Sequence, residues 1–201
     1  MKFYTSVGPN PRVVKLFMAE KGITLPEVEV DLRGGENRRE PYASAVNPAG
    51  QTPALELDDG SVLTEITAIC EYLDERFPNP PLIGTTAEER AKTRMWVRRI
   101  DLKICEPLTN GFRFAEGLPL FEPRMRCLPE AAAGLKAVAQ DGIKWLDGLL
   151  GDKPFNVSPE VYNYLAASRW SHWGTLDAER LDYASRHVPK PRGLLNLVPG
   201  D

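Results

Sequence analysis

Residues 47–77 read NPAGQTPALELDDGSVLTEITAICEYLDERF. Residues 47–53 form a turn rich in Pro and Gly, and Ala54-Leu55-Glu56-Leu57 behind it reads as a short strand. Asp58-Asp59-Gly60 reverses the chain into Ser61-Val62-Leu63, a hairpin signal. Ile66, Ile69, Cys70, Leu73 and Phe77 then recur at spacings of three and four, which is one face of a helix. Pro78 and Pro80 stop it. A proline between a turn and a strand suits a cis peptide bond. Such a bond at Pro53 turns the backbone N–H and C=O of Thr52 outward, as a strand would. Glu65, where the helix starts, adds a carboxylate beside free N–H groups. The order of these parts points to a small-molecule site.

Outward toward the N-terminus, residues 2–6 (KFYTS) read as a strand and residues 7–11 as a turn. A helix follows to about Lys21, with Val14, Phe17 and Met18 facing the core. Asn10 suits its N-cap and Pro11 its first helical position, and Gly22 ends it. Glu27-Val28-Glu29-Val30-Asp31 alternates as a second strand. Strand, helix, strand predicts a parallel pair with a right-handed crossover. Residues 32–46 are polar and read as a mobile segment with a short helix. With 47–77 the order becomes β-α-β-α-β-β-α, an α/β, thioredoxin-like domain without a redox cysteine pair.

Outward toward the C-terminus, residues 78–85 (PNPPLIGT) are a proline-rich boundary. The expected organisation is a first domain over 1–79, a linker over 80–86 and an all-α domain over 87–201. Thr86-Ala87-Glu88-Glu89 fits a capping box. It opens a helix to about Phe114, with Met95, Trp96, Ile100, Ile104 and Leu108 as apolar positions and Pro107 as a kink. Residues 116–119 (EGLP) break it. A second long helix is expected over 123–149, burying Leu128, Leu135, Val138, Ile143, Trp145, Leu146 and Leu149.

Composition narrows the function. Hydrophobic residues at 42% and charged residues at 26% of 201 fit a folded globular chain rather than a disordered one. The net charge of −3, with Lys and Arg scattered, favours neither nucleic acid nor an anionic membrane. No apolar run approaches the ~18 residues that span a bilayer. The N-terminus has no signal-peptide core. Cys70, Cys105 and Cys127 are far apart, form no C-x-x-C and have no metal-ligand spacing. They fit a reducing cytoplasm.

Two motifs carry a family resemblance. Residues 47–55 follow N-P-x-G-x-x-P-x-L. Glu65-Ile66-Thr67-Ala68-Ile69-Cys70-Glu71-Tyr72-Leu73 follows E-S-x-A-I-x-x-Y-L except at Ile66. The stretch resembles the glutathione-binding half of the cytosolic glutathione S-transferase superfamily. Two long antiparallel helices are similar to that superfamily's second domain, so the resemblance covers about residues 1–155. It implies glutathione as co-substrate, no metal, a small electrophile as second substrate and a homodimer in the cytoplasm with a role in detoxification. It also implies that backbone groups of Thr52, beside Pro53, pair with the cysteinyl unit. Gln51 then reaches the glycyl end, and Glu65 lies near the γ-glutamyl amine. Ile66 replaces a Ser whose hydroxyl contacts the γ-glutamyl carboxylate; the N–H of Ile66 remains, with Thr67 beside it. Phe112 and Arg113 resemble the wall of the electrophile pocket. Arg38 and Arg39 read as a solvated face rather than as partners of the glycyl carboxylate.

The thiol needs help to react. A free thiol has a pKa of ~8.5, and lowering it by two units takes about 2.7 kcal/mol of preferential thiolate stabilisation. Hydrogen bonds and the first helix's N-terminus supply that. Superfamily classes place Tyr, Ser, Cys or Asn near the end of the first strand, where this chain has Tyr4, Thr5, Ser6 and Asn10. Residues 4–10 are similar to the bacterial Nu-class pattern, in which a Thr and an Asn two residues apart approach the thiol. On that match Asn10 is kept and the Thr position is Gly8. Beta-class members carry Cys where Asn10 stands, so their mixed disulfide is excluded here. Asn10 is the first catalytic candidate, Ser6 the second, with Tyr4 behind.

The resemblance leaves three activities open. One is transfer of glutathione to an electrophile. A second is glutathione-dependent reduction of disulfides or peroxides, and a third is a non-catalytic binding module. Beyond Phe155 the family's G-D-x-F-T-x-A-D pattern gives way to Asn156-Val157-Ser158-Pro159. Residues 156–201 are therefore either divergent or the product of a frame change.

Overall fold

The computed structural model describes residues 1–150. Expectations for the chain after that point, including the loss of pattern beyond Phe155, lie outside the described residues. Those residues fall into two units, Met1–Ala87 and residues 88–150.

The first unit holds strands β1 (Lys2–Thr5), β2 (Glu27–Glu29), β3 (Ala54–Glu56) and β4 (Val62–Thr64). The sheet order is β2-β1-β3-β4. β1 runs parallel to β2 and antiparallel to β3, and β3 runs antiparallel to β4. Helix α1 (Pro9–Lys21) links β1 to β2, and α3 (Ile66–Arg76) follows β4. Between β2 and β3 the expected irregular segment holds a 3₁₀ turn (Glu36–Arg38) and a short helix α2 (Tyr42–Ala45). This is the thioredoxin-like domain that the sequence predicts. Tyr4 pairs with Ala54, and Ala54 with Thr64. Carrying both registers one residue further sets Thr5, Pro53 and Glu65 side by side at one end of the sheet.

One boundary differs in a way that matters for the site. Helix α1 begins at Pro9 with Gly8 as its N-cap, so Asn10 occupies the second helical position and not the cap. Gly8 takes φ 139°, open to glycine without a Cβ clash. Pro9 then enters the helix with its φ already set. Gly22 closes α1 in the left-handed conformation, as expected.

The core of this unit gathers Phe3, Val14, Phe17, Met18, Leu55, Ile69, Cys70, Leu73 and Ile83. Each such side chain contributes about 1.5–3 kcal/mol by leaving water. An ion pair lies beside it. Lys21, in the last turn of α1, donates to Asp74 of α3 across 2.6 Å, with the two side chains 0% and 1% exposed. Lys21 Nζ also donates to the Pro80 carbonyl at 2.6 Å. Asp74 accepts the Leu82 N–H at 2.9 Å and the Ile83 N–H at 3.4 Å. One buried pair thus ties α1, α3 and the segment after α3 together.

The second unit is helical. α4 (Ala87–Ile100) passes through a π-helical turn (Asp101–Cys105) into α5 (Glu106–Arg113). The expected continuous helix is interrupted because Pro107 has no N–H to offer the preceding turn. A short α6 (Leu118–Phe121) and a 3₁₀ turn (Pro129–Ala131) precede α7 (Ala132–Leu150). The second long helix therefore starts at Ala132 rather than 123. Pro123 and Pro129 lie in the stretch that would have been its first turns, and a proline is tolerated only at a helix start. Ile100, Ile104, Leu108 and Leu146 are buried as expected, whereas Met95, Leu128, Val138 and Leu149 are exposed. α7 crosses the π turn at Gly142, where a Cβ would come within 2.4 Å of the Lys103 carbonyl oxygen.

Candidate functional site

The site grows from the turn before β3. The Thr52–Pro53 peptide is cis. Behind it, the Gln51 carbonyl accepts hydrogen bonds from the Tyr42 hydroxyl at 2.6 Å and the Asn47 side-chain amide at 2.9 Å. The Gly50 carbonyl accepts one from the Asn37 amide. Asn47 also closes its own turn by accepting the Ala49 N–H at 3.0 Å. Gly50 is needed here: it has φ 60°, and a Cβ would lie 3.1 Å from the Asn37 carbonyl and 3.3 Å from Arg38 Cγ. With 50 and 51 held from behind, Thr52 is presented with its main chain open. Among the described residues neither its N–H nor its C=O has a partner.

Burial pushes the Tyr42 phenol up to about 12, with the Tyr4 and Glu36 charges adding to it. Tyr42 is therefore a neutral donor to Gln51 at ordinary pH. Tyr4 stacks edge-on against Tyr42, ring centroids 6.0 Å apart, and its hydroxyl donates to Glu56 at 2.8 Å. Hydrogen bonds from Lys2 and then Tyr4 hold the Glu56 carboxyl below its usual range. Tyr4 is thus occupied by its neighbour on β3.

Ser6 follows β1 and meets the turn. Its Oγ lies 2.5 Å from Thr52 Oγ1, and both residues are buried, at 8% and 9% exposure. The only other partner of that Oγ among the described residues is the Val7 carbonyl at 3.4 Å. Asn10 is half-buried in the first turn of α1. Pro9 and Pro11 flank it and carry no N–H, so Asn10 alone among residues 9–11 offers a main-chain donor.

Glu65 is exposed and sits at the N-cap of α3 with φ 67° and ψ 123°. Among the described residues it is the one non-glycine with positive φ. Such a conformation costs on the order of 1–3 kcal/mol and persists where the surroundings enforce it, commonly at functional sites. The Glu65 carbonyl takes the Ile69 N–H at 3.0 Å. No side chain caps the helix, so the N–H groups of Ile66, Thr67 and Ala68 stay open to an anion.

Thr52, Pro53, Ser6, Glu65 and Ile66 therefore meet at one end of the sheet, with the exposed Gln51 beside them. Arg38 and Arg39 are exposed, and Arg39 donates to the Gly34 carbonyl at 2.9 Å. Phe112 and Arg113 belong to the second unit. The Phe112 ring meets Phe121 edge-on at 6.3 Å, and the Arg113 guanidinium lies 5.5 Å from the Phe121 ring centre. Arg113 also donates to the Asn110 side chain at 3.1 Å. Three supports escape sequence reasoning: Tyr42, Asn37 and the side chain of Thr52. Asn47 and Gly50 are fixed positions of a quoted motif, and Thr52 is an open position of it. Among the described residues no cluster of three His, Cys, Asp or Glu is placed to hold a metal, and no helix is long and apolar enough to cross a membrane.

Comparison with known proteins gives the family. Residues 7–76 match the family described as glutathione S-transferase, N-terminal domain. The chain is 34% identical over 191 residues to glutathione S-transferase GstA of Escherichia coli O157:H7, covering 94% of this chain and 92% of that protein. It is 32% identical over 155 residues to glutathione S-transferase 2 of Saccharomyces cerevisiae, covering 75% of this chain and 65% of that one. The match thus spans just under two thirds of the yeast protein. A crystal structure of a glutathione S-transferase domain-containing protein from Marinobacter aquaeolei superposes with a TM-score of 0.76 at 30% identity, covering 94% and 91% of the two chains. On sequence, fold and site geometry together, the chain belongs to the glutathione S-transferase family.

Proposed function

We propose that this protein binds glutathione and transfers it to a small electrophile. The observation that carries the reading is the open main chain of Thr52 at the cis bond, next to the uncapped N-terminus of α3. The thiol loses its proton to solvent. The thiolate then attacks an electrophilic carbon, a carbon–sulfur bond forms, and the leaving group departs with its bonding pair. Thr52 pairs with the cysteinyl unit, Gln51 with the glycyl end and Glu65 with the γ-glutamyl amine. The N–H of Ile66 takes the γ-glutamyl carboxylate. Asn10 and Ser6 approach the sulfur, and Phe112 and Arg113 are the candidates of the helical unit for contact with the electrophile. The protein acts in the cytoplasm as a homodimer, in detoxification and without a metal.

Calorimetric titration with glutathione, beside turnover of a chlorodinitrobenzene-type electrophile, tests this. Saturable binding and turnover support it. Binding with reduction of hydroxyethyl disulfide, but no transfer, replaces it with the reductase reading. Absence of binding and turnover replaces it with a non-catalytic module.

A further inference from the structure

The transferase reading assigns Thr52 through its backbone, yet its side chain makes a short buried contact at the site. Thr52 Oγ1 and Ser6 Oγ are 2.5 Å apart, from segments 46 residues apart in sequence. Each hydroxyl carries one proton and can accept. A proton shared between the two leaves one for an outside acceptor. If Ser6 donates to Thr52, the proton facing outward is on threonine; if Thr52 donates to Ser6, it is on serine. The Val7 carbonyl competes for the serine proton only at 3.4 Å, a distance at which a hydrogen bond is weak. Threonine has the more restricted side chain, and its backbone is held from behind by the anchored Gln51 carbonyl. It is therefore the rigid member of the pair.

We infer that Thr52 is a positioning residue: its hydroxyl donates to Ser6 Oγ and so aims the serine proton at the glutathione sulfur. The inference rests on the proposed transferase function and adds to it a side-chain role beside the cis-proline. A valine here would keep the shape and the cis bond yet leave the serine hydroxyl free to turn toward the Val7 carbonyl.

Thiol titration of bound glutathione by ultraviolet absorbance, with kcat and KM against pH, tests this on the full chain. Thr52→Val is expected to raise the bound thiol's pKa by about one unit, and so to lower kcat/KM by about threefold near pH 7 and toward about tenfold below about pH 6. The KM for glutathione should stay within about twofold, because the backbone contacts of Thr52 remain. Thr52→Ser should restore the wild-type profile. In a Ser6→Ala background, Thr52→Val should add nothing further, since its effect runs through Ser6. An unmoved pH profile in Thr52→Val overturns the inference, as do additive effects in the double variant. Should Thr52→Val fail to bind glutathione, the Ser6→Ala titration decides: an unchanged thiol pKa there also overturns it. A wild-type chain that neither binds nor turns over glutathione fails the transferase reading itself, and the inference with it.

Discussion

Replacing Lys21 by Met breaks a buried ion pair of the first unit. The methionine keeps an unbranched apolar stem, so packing beside Phe17, whose ring centre lies 5.7 Å from the Lys21 ammonium, is largely kept. What goes is the donor to Asp74 and to the Pro80 carbonyl. Asp74 is left as a buried carboxylate with two backbone N–H groups, one of them 3.4 Å away. Removing one partner of a buried pair typically costs about 3–5 kcal/mol, because the remaining charge is uncompensated. Total stability of a domain is about 5–15 kcal/mol, so a large share is lost. With an m-value of about 2 kcal/mol/M, the urea midpoint should fall by about 2 M.

The double variant Lys21→Met/Asp74→Asn separates charge from shape. The asparagine oxygen still accepts from Leu82, and the stranded charge is gone. It should recover about 2 kcal/mol relative to Lys21→Met alone. Chemical denaturation followed by far-ultraviolet circular dichroism measures both. A loss below about 1 kcal/mol in Lys21→Met, or no recovery in the double variant, refutes the claim that an uncompensated buried charge dominates the loss.

Asn10→Ala removes a side-chain amide but leaves the only backbone N–H of residues 9–11, so the bound thiol's pKa should rise by about one unit while folding is kept; an unchanged titration and turnover reject a role for the amide. Glu65→Gln keeps the strained backbone and removes the charge expected at the γ-glutamyl amine. Calorimetry should show glutathione binding about tenfold weaker with the urea midpoint unmoved, and equal affinity would remove Glu65 from the site. The Tyr42 phenol is raised to about 12 by burial, so its neutral form is favoured in the fold. Its contribution is constant below the ordinary value near 10 and is lost as pH rises toward 12. Tyr42→Phe should cost about 1 kcal/mol at pH 8 through the lost bond to Gln51, and that deficit should close between pH 10 and 12 in denaturation series; a constant gap would place the bond elsewhere.

What was legible in the sequence was local. Asp58-Asp59-Gly60, the alternation in 27–31 and the spacing from Ile66 to Leu73 each signal structure within a few residues, and β2, β3, β4 and α3 appear there. Where neighbouring prolines compete, local reading slips. Asn10 suits a cap by type, but Gly8 and Pro9 start the helix earlier. A helical period also reveals a stripe without saying what covers it, which is why Met95, Val138 and Leu149 are exposed on helices that bury Ile100 and Leu146. Two buried side-chain contacts are distant in sequence. Lys21 and Asp74 are 53 residues apart, and Ser6 and Thr52 are 46 apart. No periodicity links such pairs, and only the folded register brings them together.

That division explains why the ligand was easier to read than the chemistry. On the proposed reading, recognition of the peptide ligand runs through main-chain groups, and main-chain geometry is set by the Pro, Gly and Asn residues that motifs record. The N–H groups of residues 66–68 stay open because the helix is uncapped and Glu65 holds a positive φ. That property survives Ile in place of Ser at 66, and the substitution removes one hydroxyl donor while leaving the anion site in place. Activation of sulfur depends instead on the direction of one or two protons. A hydroxyl's aim is set by its partner, and for Ser6 that partner is a threonine whose identity the backbone motif does not constrain. On the proposed reading the turn before β3 therefore carries two kinds of information, open main-chain groups for the substrate's backbone and a Thr52 side chain that aims the neighbouring donor.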